Sequence, residues 1–208
     1  EESSAFPSKI DYQDMPFFKY NPIALDFYKL NDGQKRRKHY IITKDETQWL
    51  DYLEGRDFVI ASPITYVGRN RSASNARYLY AFAFDLDGVG MNELSTVIYQ
   101  SQVNPKNTDS MGNARRVIPE PNIIVNSGHG LHLYYLLKHP VPLYEQNLEK
   151  LNRMKKGLTD AIWGADTSTL TEKQYQGVLQ GFRLPGTKTK FGEVIRAFYN
   201  EDSEYHTL

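Results

Sequence analysis

Along Arg77–Leu86, and again along Leu131–Leu137, large apolar residues alternate with small or polar ones, the period of a strand with two unlike faces. Neither run approaches the ~20 apolar residues of a membrane span. Two segments carry the helical period instead. Met91, Leu94, Val97 and Ile98 stripe one face of Met91–Gln102, after a turn at Gly88 and Gly90. Leu148, Leu151, Met154, Leu158 and Ile162 stripe Tyr144–Trp163, with charges on the other face. A shorter helix is predicted from a capping box at Thr43 and Glu46 to about Leu53, closed by Gly55. Short strands are predicted at Tyr40–Thr43, at Asp57–Ser62 (stopped by Pro63), at Asn122–Asn126 and at Glu193–Tyr199. Asn122–Asn126 and Leu131–Leu137 flank a Ser-Gly-His-Gly turn and form a hairpin, ended by Pro140 and Pro142. Residues 103–121 read as a long loop and 1–22 as an irregular arm. Helices and strands are interspersed without a repeat or a linker, so one α/β or α+β domain over 1–208 is expected.

Composition narrows the function. The 25 basic residues balance the 25 acidic ones, so no bulk positive field argues for nucleic acid, and a polyanion site must be a local basic groove. The chain has no Cys, which excludes disulfides, Cys-type zinc sites and thiol nucleophiles. A cytoplasmic setting fits this usage. The chain opens on Glu1 with no signal-peptide pattern and reads as one domain of a longer protein.

Three segments carry candidate chemistry. In Ala81-Phe-Ala-Phe-Asp85-Leu-Asp87, alternation puts Phe82, Phe84 and Leu86 on one face and Ala81, Ala83, Asp85 and Asp87 on the other. Two carboxylates ~7 Å apart on one strand face repel unless a cation joins them, and hard divalent ions such as Mg²⁺ or Mn²⁺ suit oxygen donors. The plain alternative is a strand end facing water. In Asn126-Ser-Gly-His-Gly-Leu-His132, Gly128 and Gly130 let backbone N–H groups approach an anion, Ser127 adds a hydroxyl, and His132 shares a strand face with Tyr134. Read alone, this is equally a tight hairpin with a surface His. Third, Arg183-Leu-Pro-Gly-Thr-Lys-Thr-Lys190 lies in a stretch, 181–199, with four cations (Arg183, Lys188, Lys190, Arg196) against one acid (Glu193). Arg183 and Lys190 could hold phosphates, or the segment is a Pro-Gly turn with solvated lysines. The basic run Lys35–Lys38 and the pair Arg69 and Arg71 are further polyanion-facing candidates or solvated loops.

Together these segments resemble the archaeo-eukaryotic primase superfamily, especially the primase–polymerases of plasmids, phages and other mobile elements. The resemblance rests on a strand ending Asp85-x-Asp87 and the hairpin Ser127-Gly128-x-Gly130-x-His132. A later acid, Asp166, and Arg183-x-Pro185-Gly186-Thr187 with Lys190 complete it. It covers about 57–199, and Thr189 stands where many relatives have Asn. It implies an RRM-like catalytic sheet with an N-terminal α/β lobe, a bilobal core with the site in the groove between. It also implies two divalent ions on Asp85, Asp87 and Asp166, with no zinc. Ser127, Gly128, His132, Arg183 and Lys190 would hold an NTP or dNTP. Arg69, Arg71 and Lys188 would meet a single-stranded DNA template. The implied activity is primer synthesis or extension, in the company of a fused or separate helicase or another replication or defence module. Two rivals stand beside it. Phe84-Asp-Leu-Asp-Gly-Val also resembles the nucleophile motif of haloacid-dehalogenase-type phosphatases, with Asp85 as nucleophile. A non-catalytic single-strand-binding module would use aromatics and basic loops and leave the Asp pair without a role.

Overall fold

The computed structural model describes residues 20–29, 33–42, 46–189 and 191–208. Its elements in chain order are β1 (Tyr20–Lys29), β2 (Lys35–Ile41), α1 (Glu46–Leu53), β3 (Val59–Val67), β4 (Ala76–Asp87), α2 (Met91–Ser101), β5 (Asn104–Thr108), β6 (Ala114–Arg115), β7 (Ile123–Asn126), β8 (Gly130–Pro142), α3 (Glu145–Ile162), β9 (Phe182–Arg183) and β10 (Arg196–Tyr199). Among the described residues eight strands form one sheet in the order β10-β7-β8-β4-β3-β1-β2, with β9 paired to β3; β5 and β6 form a separate hairpin. Every pairing between these strands is antiparallel. This is the mixed α+β class expected. No helix among the described residues is long and apolar enough to cross a membrane.

The sheet is organised by β4 and β8. Phe82 pairs with Tyr135, Phe84 with Leu133 and Leu86 with Leu131, so both apolar rows share one face. That face is covered by α2 and α3: Val97, Leu151, Ile162 and Trp163 join the same buried cluster. Burying each such side chain contributes about 1.5–3 kcal/mol before entropy is counted. The opposite face carries Asp85 against His132 and Asp87 against Gly130. Beyond this region the sheet divides. β3 meets β4 only through Ile64–Tyr66, while Ile60 and Ala61 pair with β9 instead.

Several boundaries differ from expectation. β3 runs through Pro63 rather than stopping there. At Pro63 the strand changes partner from β9 to β4, and its register with β1 slips, so a missing N–H disrupts no regular ladder. β8 runs past Pro140 for the same reason: Leu136 pairs with Ala81 and Val141 with Leu79, leaving Pro140 in the bulge between. The loop 103–121 contains the β5–β6 hairpin, whose Asp109 carboxylate accepts the Met111 and Asn113 N–H groups. Residues 20–22, expected in the arm, begin β1, an element the pattern does not announce, and the basic run becomes the edge strand β2. The Thr43 cap lies outside the described residues, as do residues 1–19 of the arm.

Gly130 is required by packing. A Cβ there would collide with the Leu86 carbonyl oxygen and lie 2.8 Å from the Asp87 Cα. Gly130→Ala must push β8 off β4 and is expected to cost roughly 1–3 kcal/mol or more. Gly157, exposed inside α3 with open space around it, should behave oppositely: Gly157→Ala should stabilise by about 0.5–1 kcal/mol. Thermal unfolding of the two variants checks both, and a neutral Gly130→Ala would disprove the tight crossing.

Candidate functional site

The β4–β8 register sets two acids beside the hairpin. His132 Nε2 lies 3.7 Å from Asp85 Oδ1. The His132 ring packs edge-on to Phe182 at 5.3 Å, and Tyr134 packs on the same ring at 5.9 Å. Asp85, Asp87, Ser127, His129, His132 and Arg183 open onto one cavity of about 290 Å³, walled by Phe58, Ile60 and Phe182. The Arg183 guanidinium lies over the Phe58 ring at 4.4 Å and donates from Nη1 to the Lys188 carbonyl at 3.1 Å. The hairpin closes on itself: Ser127 Oγ donates to Gly130 O at 3.1 Å, and Asn126 Oδ1 accepts the Gly128 N–H at 2.9 Å. Gly128 has φ 96°, and a Cβ on it would meet the Thr189 side chain at 2.8 Å.

Burial controls the charges. It pushes Asp85 up to about 6, with Asp87 adding repulsion; a hydrogen bond from Gln176, and the Lys155 and Arg183 charges, oppose the rise. His132 is pushed down to about 4, first by burial and then by Arg183, so it is neutral at pH 7. Its contact with Asp85 is therefore not an ion pair at that pH. His132 Nδ1 is buried without a hydrogen-bond partner. Lys155 is pushed down to about 8 by burial, opposed by Asp85. Its Nζ donates to Gly177 O at 3.1 Å and lies 5.5 Å from the Phe84 ring and 5.2 Å from the Phe182 ring.

The structure brings together Asp85, Asp87, Ser127, Gly128 (in the closed hairpin), His132 and Arg183. It does not bring Asp166 to the pair. Asp166 is exposed in the turn after α3 and does not line the cavity. Among the described residues no group of three His, Asp or Glu is placed to hold a metal. The neighbours of Asp166 pin the end of β4 instead. Ser168 Oγ donates to Asp87 O at 2.6 Å, and the Thr169 N–H donates to Gly88 O at 2.9 Å. Arg71, expected at a template, is committed internally, donating from Nη2 to Ser62 Oγ at 2.7 Å and to Leu179 O at 3.0 Å. Lys188 pairs with Asp57 at 3.6 Å on the surface. Arg69 is exposed on the turn after β3. Lys190 lies outside the described residues.

Lys155, Gln176, Phe58 and Phe182 are site residues that the sequence reading does not reach. Lys155 has a signal: it sits four residues after Leu151 and seven before Ile162, on the apolar stripe rather than the charged face. Phe58 falls in the strand expected at Asp57–Ser62, where nothing marks its contact with Arg183, and Gln176 and Phe182 reach the site through an irregular stretch and β9, which no period marks.

No family profile matches the chain, and no curated protein does. Among solved structures it is similar to the AEP domain of the primase–polymerase of cyanophage S-2L, with a TM-score of 0.55 at 13% identity, over 90% of this chain and 84% of that one. The likeness establishes a shared fold.

Proposed function

We propose that this chain is the catalytic domain of a template-dependent nucleotidyltransferase of the primase–polymerase type, acting on single-stranded DNA with NTPs or dNTPs. The observation that carries this reading is one cavity shared by the Asp85–Asp87 face, the Ser127–His132 hairpin and Arg183, within a fold like that of a primase–polymerase domain.

The donor set fits a hard divalent cation. Asp85 and Asp87 repel one another, Asp85 is held well above its ordinary value, and both present oxygen to the same cavity. A bound Mg²⁺ or Mn²⁺ would supply charge neutralisation for the phosphates and activation of the attacking hydroxyl. Asp85 and Asp87 would hold it; a second ion of the expected pair finds no third carboxylate in Asp166. Neutral His132 offers the cavity a hydrogen bond without competing for the cation's place. Arg183, held over Phe58, would present its guanidinium to a triphosphate. Ser127 and Gly128 form the turn beside it.

The rivals explain less. A phosphatase using Asp85 leaves the Ser127–His132 hairpin without a role, although the hairpin lines the same cavity. A pure binding module leaves two acids on one strand face beside a buried His unexplained.

Incorporation of labelled NTPs or dNTPs on single-stranded DNA, with Mg²⁺ or Mn²⁺, tests the reading against phosphate release from a generic monoester. Arg183→Ala should raise the nucleotide KM roughly ten- to a hundredfold, the loss of a charge-assisted contact, while DNA affinity stays unchanged. A template defect with normal nucleotide KM would remove Arg183 from the triphosphate.

A further inference from the structure

The β1–β2 hairpin overhangs the rest of the sheet. β1 last pairs with β3 at Asp26 and Val59, yet continues beside β2 to Lys29 opposite Lys35. Between this overhang and the Gly55–Phe58 loop lies a cavity of about 610 Å³, larger than the one at the Asp pair. Phe58 lines both, so the two share a wall. Its ring meets Phe27 at 5.1 Å and Arg183 at 4.4 Å.

Charge around this cavity is one-sided among the groups that stand outside ion pairs. Asp26 is buried and takes Arg56 at 3.0 Å; Asp57 takes Lys188 at 3.6 Å. Among the described residues no carboxylate forms an ion pair with Lys29, Lys35 or Arg36, and all three are exposed. Phe27, on the strand face of Lys29 and Lys35, is 37% exposed, and Arg36, opposite Tyr28, lines the same cavity from the other face. Cations around an accessible ring fit a chain of phosphates bearing flat bases. The cations of β2 also discourage pairing at a sheet edge. That role alone asks for neither an exposed Phe27 nor a cavity that shares the Phe58 wall with the acidic site.

We propose that this cavity is a groove for single-stranded DNA, with a base against Phe27 and phosphates at Lys29, Lys35 and Arg36. It names the strand path of the nucleotidyltransferase read above and rests on that reading.

Fluorescence anisotropy of a labelled oligo-dT, in EDTA and without nucleotide, reads the groove apart from catalysis. Phe27→Ala should weaken binding roughly five- to a hundredfold, the loss of one stacked base, with the salt slope unchanged. Phe27→Leu, which keeps an apolar contact with Phe58 but offers no ring, should share most of that loss. Lys35→Ala/Arg36→Ala should flatten the log–log salt slope by about 1.4, at about 0.7 per phosphate. An abasic oligomer should bind the parent weakly and lose little more on Phe27→Ala. Parent-like binding by all three variants overturns the groove, and tighter binding of oligo-rU than oligo-dT overturns its assignment to DNA. The expected losses in a parent that incorporates no nucleotide would sink the enzymatic reading and leave the groove standing. Incorporation by the parent with unchanged strand binding in the variants would do the reverse.

Discussion

Asp85→Asn and Asp87→Asn should each reduce nucleotide incorporation by about a thousandfold or more, the consequence of losing several kcal/mol of charge stabilisation at the phosphates. The substitution keeps shape and removes one charge from a face where two acids meet a neutral His132. Folding should not be the cause of the loss. In the absence of a cation, Asp85 is an unfavourable charge, held up near 6 by burial and by Asp87. Asp85→Asn should therefore unfold at a higher temperature than the parent at pH 7 in EDTA while losing activity in Mg²⁺ and Mn²⁺. That opposition separates a functional carboxylate from a structural one. Activity within tenfold of the parent in either variant would remove the acids from the chemistry.

How far the sequence carries this picture can be read residue by residue. The two faces of β4 and β8 are legible because alternation is local: Phe84 or Leu133 cannot be buried without sending Asp85 and His132 to the other side. The hairpin glycines are legible because a close approach tolerates no Cβ, as at Gly130. What sequence does not carry is the destination of long side chains and irregular segments. Arg71 looks like a surface cation, yet the stretch around Leu179 folds back and takes its guanidinium. Asp166 has the right order along the chain, but order does not fix where a turn after a helix points. β1 is hidden because a buried Asp26, neutralised by Arg56 from another loop, interrupts its apolar pattern. Lys155 looks like part of the charged face of α3, although its spacing belongs to the stripe that packs under Phe84. At Arg71, Asp26 and Lys155 a tertiary partner overrides a local preference.

The Asp85–His132 contact makes a second large prediction, in metal-free buffer. Asp85 titrates near 6 in the folded chain against an ordinary 3.8, so between those values the native state binds more protons than the unfolded one. Its contribution therefore falls as pH rises through that window, by roughly 3 kcal/mol at about 1.4 kcal/mol per unit. His132 titrates near 4 against an ordinary 6.5, so there the unfolded state binds more protons. Its contribution rises with pH over nearly the same window, again by roughly 3 kcal/mol. The two slopes oppose each other in the parent. Removing one partner should expose the other: relative to the parent, His132→Gln loses stability as pH rises from 4 to 6.5, and Asp85→Asn gains it. Comparing each variant with the parent cancels the remaining carboxylates. Urea unfolding at pH 4.5, 5.5 and 6.5 measures both differences. Saturating Mg²⁺ should tilt the parent itself upward with pH, because a cation between the acids favours their ionised forms. Two variants whose profiles run parallel to the parent would show that neither group is held away from its ordinary titration. The buried, cation-seeking character assigned to this face would then be wrong.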